Sequence, residues 1–144
     1  MDLVVALASV EQELSCRPDI DFRVNVVGRQ QPLNPFIQQE IYRIGREALL
    51  NAFCHSRAKC VEFELEYADR ELQMRVCDDG IGIDPQVLRH GREGHWGLAG
   101  MRERAERIGG FLNISSIPTN GTEVRLSIPS NIAFTFQRLK TAGQ

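Results

Sequence analysis

The chain contains no run of lysine or arginine, no CxxC pair, no long apolar stretch and no internal repeat. Each absence removes a class of function. With 17 basic against 19 acidic side chains, and a formal net charge of -2, there is no electrostatic footprint for nucleic acid. No segment reaches the roughly twenty consecutive apolar residues that a membrane span needs, and no basic start leads into a signal peptide. The four cysteines, Cys16, Cys54, Cys60 and Cys77, are scattered. They are expected to be reduced, as small buried hydrophobes in a cytoplasmic setting. A zinc site assembled from Cys54, His55, His90 and His95 fits no ligand spacing. What remains is ordinary: 144 residues, 42% hydrophobic and 25% charged, enough for one domain with its own core.

Leu3, Leu7, Val10 and Leu14 recur at helical spacing, which predicts a first helix over 3–14. DFRVNVVG (21–28) alternates Phe22, Val24 and Val26 with polar neighbours and reads as a strand closed by Gly28. Asn34-Pro35 is a helix start, and Ile37, Ile41, Ile44, Ala48 and Ala52 form an apolar stripe down a long helix. CVEFELEY (60–67) and ELQMRVC (71–77) alternate strictly about an Asp69-Arg70 turn, predicting an antiparallel hairpin with one covered face. Asp84-Pro85 restarts a short helix, and residues 86–97, with three glycines and two histidines, read as a mobile loop. Leu98, Met101, Ala105 and Ile108 predict a second amphipathic helix stopped by Gly109-Gly110. A final hairpin follows, FLNISSI and EVRLSIP around PTNGT. The fold class is α+β: a two-layer sandwich of a mixed, mainly antiparallel sheet with helices on one face. It occupies residues 1–131, with 132–144 a tail that carries no assignable pattern.

Two features do not belong to the core pattern. Glu47, Asn51 and His55 stand four residues apart, so they stack along one side of the long helix. Three polar residues at this spacing usually mark a solvated face. Asn, however, is a poor choice for the middle of a surface helix. The second feature is CDDGIGID (77–84), where two acids and two glycines follow directly on a strand. Asp-Gly pairs are common turn signals. Glycines also let a backbone turn sharply and let a flat ligand approach, and a carboxylate at a strand end can accept from an exocyclic amine.

Taken in order, these segments resemble the ATP-binding domain shared by sensor histidine kinases, type II topoisomerases, mismatch-repair ATPases and a class of chaperones. REALLNAFCHSRA (46–58) is similar to the family's asparagine box and CDDGIGID to its first glycine box. GHWGLAGMRERAERIGG (94–110) is similar to the second glycine box and its helix, and GTEVRLSIP (121–129) to the closing strand. The GMRERA run resembles the nitrate-sensor branch of the histidine kinases. The resemblance spans residues 20 to 129 and implies the open sandwich known as the Bergerat fold.

It also implies roles. Asn51 would ligate Mg²⁺, Glu47 would orient or deprotonate the incoming nucleophile, and His55 would lie near the phosphates of ATP. Asp78 would accept the adenine amine with Thr122 assisting through a water, and Gly80 and Gly82 would let the base rest against the backbone. Gly94, Gly97 and Gly100 would shape a lid with His95 on it, and the helix beginning near Leu98 would aim its first amides at phosphate. Since the chain has no GxxxxGK[ST] loop, metal, histidine and amides would do the neutralising. Two positions depart from the family pattern. Cys54 stands where a basic residue is usual, which puts one phosphate contact in doubt. Asp79 stands where Asn is frequent, a change that could adjust metal geometry.

No histidine precedes His55. The expectation is therefore a catalytic domain whose phosphoacceptor histidine lies on a separate dimerisation domain. A response regulator would act downstream, and the fragment itself would touch neither nucleic acid nor membrane. It would be a cytoplasmic domain, in a parent protein compatible with a membrane anchor. Three alternatives remain open: a chaperone- or topoisomerase-like ATPase, a nucleotide-binding module without catalysis, and a serine kinase acting on an anti-sigma partner. Longer lids and a transducer domain set the first apart, retained Glu47 argues against the second, and the GMRERA helix argues against the third.

Overall fold

The computed structural model describes residues 2–14, 19–90, 97–116 and 119–135. Strands β1 (Asp21–Gly28), β2 (Cys60–Tyr67), β3 (Glu71–Asp78), β4 (Phe111–Ser116) and β5 (Thr122–Pro129) form one sheet in the order β1-β2-β3-β5-β4. Only the β1–β2 pair is parallel. A parallel pair needs a crossover, and helix α3 (Pro35–Cys54) supplies it. The other pairs are antiparallel, so the mixed, mainly antiparallel sheet expected from the alternating segments is the one observed.

Alternation decides the two faces. Val61, Phe63 and Leu65 of β2, Leu72, Met74 and Val76 of β3, and Val124, Leu126 and Ile128 of β5 are all buried. They meet Ile37, Ile41, Ile44, Ala48 and Ala52 of α3, each 6% exposed or less. The opposite face is polar and half-exposed, with Arg75 3.9 Å from Glu64 and 3.4 Å from Glu123. Asn34 caps α3 by accepting from Phe36 N–H at 3.0 Å, and Pro35 takes the first position, where its missing donor costs nothing.

Four details differ from the sequence expectation or add to it. The single helix over 3–14 is two, α1 (Leu3–Ala8) and α2 (Val10–Leu14), parted at Ser9. The Ser9 hydroxyl donates back to Val5 O at 2.7 Å, a bond that competes with helix continuation. Residues 86–90, expected as the start of a mobile loop, belong instead to helix α4 (Pro85–His90), with Asp84 accepting from Gln86 N–H at 2.8 Å; 91–96 lie outside the described residues. Residues 130–134, partly within the expected tail, return to the core: α6 (Ser130–Ala133) is followed by buried Phe134, whose ring stacks on Tyr67 at 6.0 Å. Finally, Cys54 is disulfide-bonded, so four reduced thiols is not the observed state. Cys60 and Cys77 are free. Oxidation depends on proximity in the fold, which scattered spacing does not reveal.

Helix α5 (Leu98–Arg107) packs against α3 and ends at Gly109, whose φ of 75° is the left-handed stop expected there.

Candidate functional site

Asp78 is the last residue of β3, flanked in the sheet by Val61 on one side and Thr122 on the other. Its carboxylate accepts from Gly80 N–H at 2.9 Å and also from the Thr122 backbone. Burial nevertheless raises its pKa from 3.8 to about 6, with the Asp79 charge adding a smaller push and the two backbone donors opposing it. A carboxylate placed this way gains from an additional donor. Asp79 behaves in the opposite way. Its Oδ1 accepts from Lys59 N–H at 2.9 Å and Cys60 N–H at 3.0 Å. The Cys60 amide lowers its pKa the most, burial opposes that, and the Lys59 amide and charge add smaller lowering contributions. Asp79 thus clamps the start of β2, a role that spacing alone did not suggest.

The glycines after Asp78 answer local demands first. A Cβ on Gly80 would run into the Ser56 carbonyl at the end of α3, where Ile81 N–H donates to Ser56 O at 2.8 Å. Gly82 is buried with φ 79°. Gly121, which sequence reasoning treated only as a turn residue, lies directly on the Asp78 backbone with φ 96°, and a Cβ there would overlap the Asp78 carbonyl oxygen. Ser116 joins the pieces, and no sequence signal marked it. Its hydroxyl oxygen accepts from Ile83 N–H at 2.6 Å and lies 3.1 Å from the Thr122 hydroxyl.

Along α3, Glu47 is half-buried, Asn51 is buried at 7% and His55 is exposed at the C-cap, where its N–H donates to Asn51 O at 3.0 Å. Glu47 lies against Gly97, the left-handed N-cap of α5 with φ 64°, so closely that a Cβ on Gly97 would overlap its carboxylate. That N-cap offers no side-chain acceptor to the first amides of α5, and Gly100 in the first turn faces open space. A cleft of about 340 Å³ opens here between α3 and α5, with Arg43, Arg46, Glu47, Gly97 and Gly100 in its lining. Leu98 contributes backbone only, since its side chain is 1% exposed in the core. Gly94 and His95 lie outside the described residues.

Gly80 meets Ser56 just past the end of α3 and Gly97 meets Glu47 in its C-terminal half, so the glycine turn and the start of α5 both border that half of the helix. The chain belongs to the histidine kinase-, DNA gyrase B-, and HSP90-like ATPase family, whose model matches residues 37–132. Within it, the chain is similar to sensor histidine kinases. It is 33% identical over 132 residues to the sensor protein NarQ homolog of Haemophilus influenzae, covering 91% of this chain and 23% of that one. It is 32% identical to the sensor histidine kinase LiaS of Bacillus subtilis, over 65% of this chain and 25% of that one. The chain therefore spans about a quarter of the length of these relatives. The fold is that of the histidine kinase domain of a blue-light-activated histidine kinase from Erythrobacter litoralis. That likeness has a TM-score of 0.73 at 23% identity, over 88% of this chain and 62% of that one.

Proposed function

We propose that this domain binds Mg-ATP and transfers the γ-phosphate to a histidine on a separate dimerisation domain of its parent kinase, for onward transfer to a response regulator. The observation that carries the reading is Asp78: a half-buried carboxylate at a strand end, oriented by Gly80 N–H at 2.9 Å and open to one more donor such as the adenine amine. The base would rest against the glycine turn, and the phosphates would run toward the uncapped amides of α5 and toward His55. The lid role assigned to Gly94, Gly97, Gly100 and His95 belongs to the same proposal.

The donors fit magnesium. The Asn51 amide oxygen is a hard oxygen donor, and Glu47 stands one turn away on the same side of the helix, free to act on the nucleophile. Among the described residues no group of three or more His, Cys, Asp or Glu could hold a metal alone. Asn51 would hold Mg²⁺, which supplies charge neutralisation when bound, while Glu47 would take or orient the proton of the attacking imidazole. Among the described residues no helix is long and apolar enough to cross a membrane. The proposed setting is the cytoplasmic side of a sensor whose other parts receive the signal.

The roles separate in two variants. Asn51→Ala is expected to abolish the Mg²⁺ dependence of ATP binding in calorimetric titration. Glu47→Gln is expected to keep ATP affinity within about threefold while slowing labelling of the parent's acceptor fragment by about a hundredfold or more. Equal loss of ATP binding in both variants would make Glu47 structural and end its catalytic assignment.

A further inference from the structure

Glu40 is a buried carboxylate, 5% exposed, on the first half of α3 and outside every sequence motif considered above. Its two oxygens are divided between two arginines of α5. Arg104 Nη1 donates to Oε2 at 3.3 Å, and Arg107 Nη1 lies 3.5 Å from Oε1. A buried charge is costly unless paired, so this triad is a fixed element of the helix interface. Its position relative to the cleft gives it meaning. Glu40 and Glu47 are seven residues apart on α3, as are Gly97 and Arg104 on α5. Seven residues are about two helical turns, roughly 10 Å, and return to the same face. Glu47 meets Gly97, and Glu40 meets Arg104, so the helices run antiparallel and in step, with one contact at each end.

We propose that Glu40 is a positioning residue: through Arg104 and Arg107 it anchors the far end of α5. It thereby sets where the Gly97 end of that helix stands against Glu47. The N-cap end is held by apolar packing alone, Leu98 and Met101 each being 1% exposed, and Gly97 adds no capping side chain, so the charged contact that fixes α5 against α3 lies at the far end. A loss of registry at Glu40 is therefore felt at the phosphate side of the cleft, some two turns away. The effect on nucleotide rests on the function proposed above. The effect on α5 does not.

Hydrogen exchange and ATP titration of the whole chain and its Glu40→Gln, Arg104→Gln and Arg104→Lys variants test the anchor. Glu40→Gln and Arg104→Gln are expected to speed exchange of amides 101–105 by about tenfold or more, with the β2–β3 hairpin unchanged. Both are expected to weaken ATP binding by about tenfold, and Arg104→Lys, which keeps the charge, to retain most of both properties. If Glu40→Gln does not fold, amide exchange in Arg104→Gln decides the matter, since Arg104 is half-exposed but also lines the cleft and its ATP affinity alone does not isolate the anchor. Unaltered exchange at 101–105, or equal acceleration there and in the hairpin, overturns the anchor. A parent chain that binds no ATP would instead overturn the nucleotide reading, leaving the exchange comparison to judge the anchor alone.

Discussion

The two ends of the proposed site are held by different forces. At the Asp78 end nearly every fixed contact involves backbone. Gly80 N–H holds Asp78, the Lys59 and Cys60 amides hold Asp79, Ser56 O holds Ile81, and Gly121 lies on the Asp78 carbonyl. At the α3–α5 end the contacts are made by long side chains: Glu40 with two arginines, Arg46 with Glu13 at 3.4 Å, and Glu47 against a glycine. Backbone contacts tolerate almost no change in geometry, whereas side-chain contacts can shift by a rotamer. The Asp78 end is thus built rigid and the α3–α5 end adjustable. Under the proposed function, such a division would suit a domain that holds the base fixed and adjusts to the phosphates.

Glycine substitutions probe this contrast most severely. Gly121→Ala places a Cβ on the Asp78 carbonyl at φ 96° and is expected to cost about 3 kcal/mol or more in a denaturant melt. Gly97→Ala also has a positive φ, 64°, but meets only the movable end of Glu47 and is expected to cost about 1–2 kcal/mol. Equal costs would erase the distinction between the two ends.

A smaller effect follows from Asp78 itself. Its folded pKa of about 6 lies above the ordinary 3.8, so the native state binds that proton more tightly than the unfolded chain. Stability without nucleotide should therefore fall as pH rises from about 4 to about 6, and the loss should persist above. Asp78→Asn removes this slope. After discounting for solvent screening, it is expected to raise apo stability at pH 7 by roughly 1–2 kcal/mol, measured by urea melts across that range. Asp79 runs the other way. Its lowered pKa contributes stability that is present above the ordinary carboxylate range and is lost as pH falls through the folded value.

The smallest change sharpens the adjustable end. Gly100 lies inside α5 with nothing near the Cβ direction. Gly100→Ala is expected to stabilise the free domain by about 0.5–1 kcal/mol, from helix propensity alone. If phosphate approaches α5 there, the same change weakens ATP binding, seen as a smaller thermal shift on adding nucleotide. Unchanged nucleotide affinity would move the phosphates away from Gly100.

The sheet and its covered face were legible because period-2 alternation in 60–77 and 122–128 leaves one way to bury Phe63, Leu65, Met74 and Leu126. The site's outline was legible for a similar reason: strand end, glycines and helix stripe are local patterns. What escaped is non-local. Nothing near Ser116 announces that its hydroxyl ties Ile83 to Thr122. Glu40 stands outside every motif, although its seven-residue offset from Glu47 places it on the same face. The break at Ser9 and the Asp79 clamp turn on single side-chain hydrogen bonds that no periodicity encodes.

The central claim, that Asp78 reads an adenine amine, is tested most directly by calorimetric titration of ATP and GTP into the unaltered chain and into Asp78→Asn. The account predicts that ATP binds more tightly than GTP. The substitution should weaken ATP binding by about tenfold to a hundredfold, the worth of one charge-assisted hydrogen bond. ATP affinity that is unchanged in Asp78→Asn would contradict it.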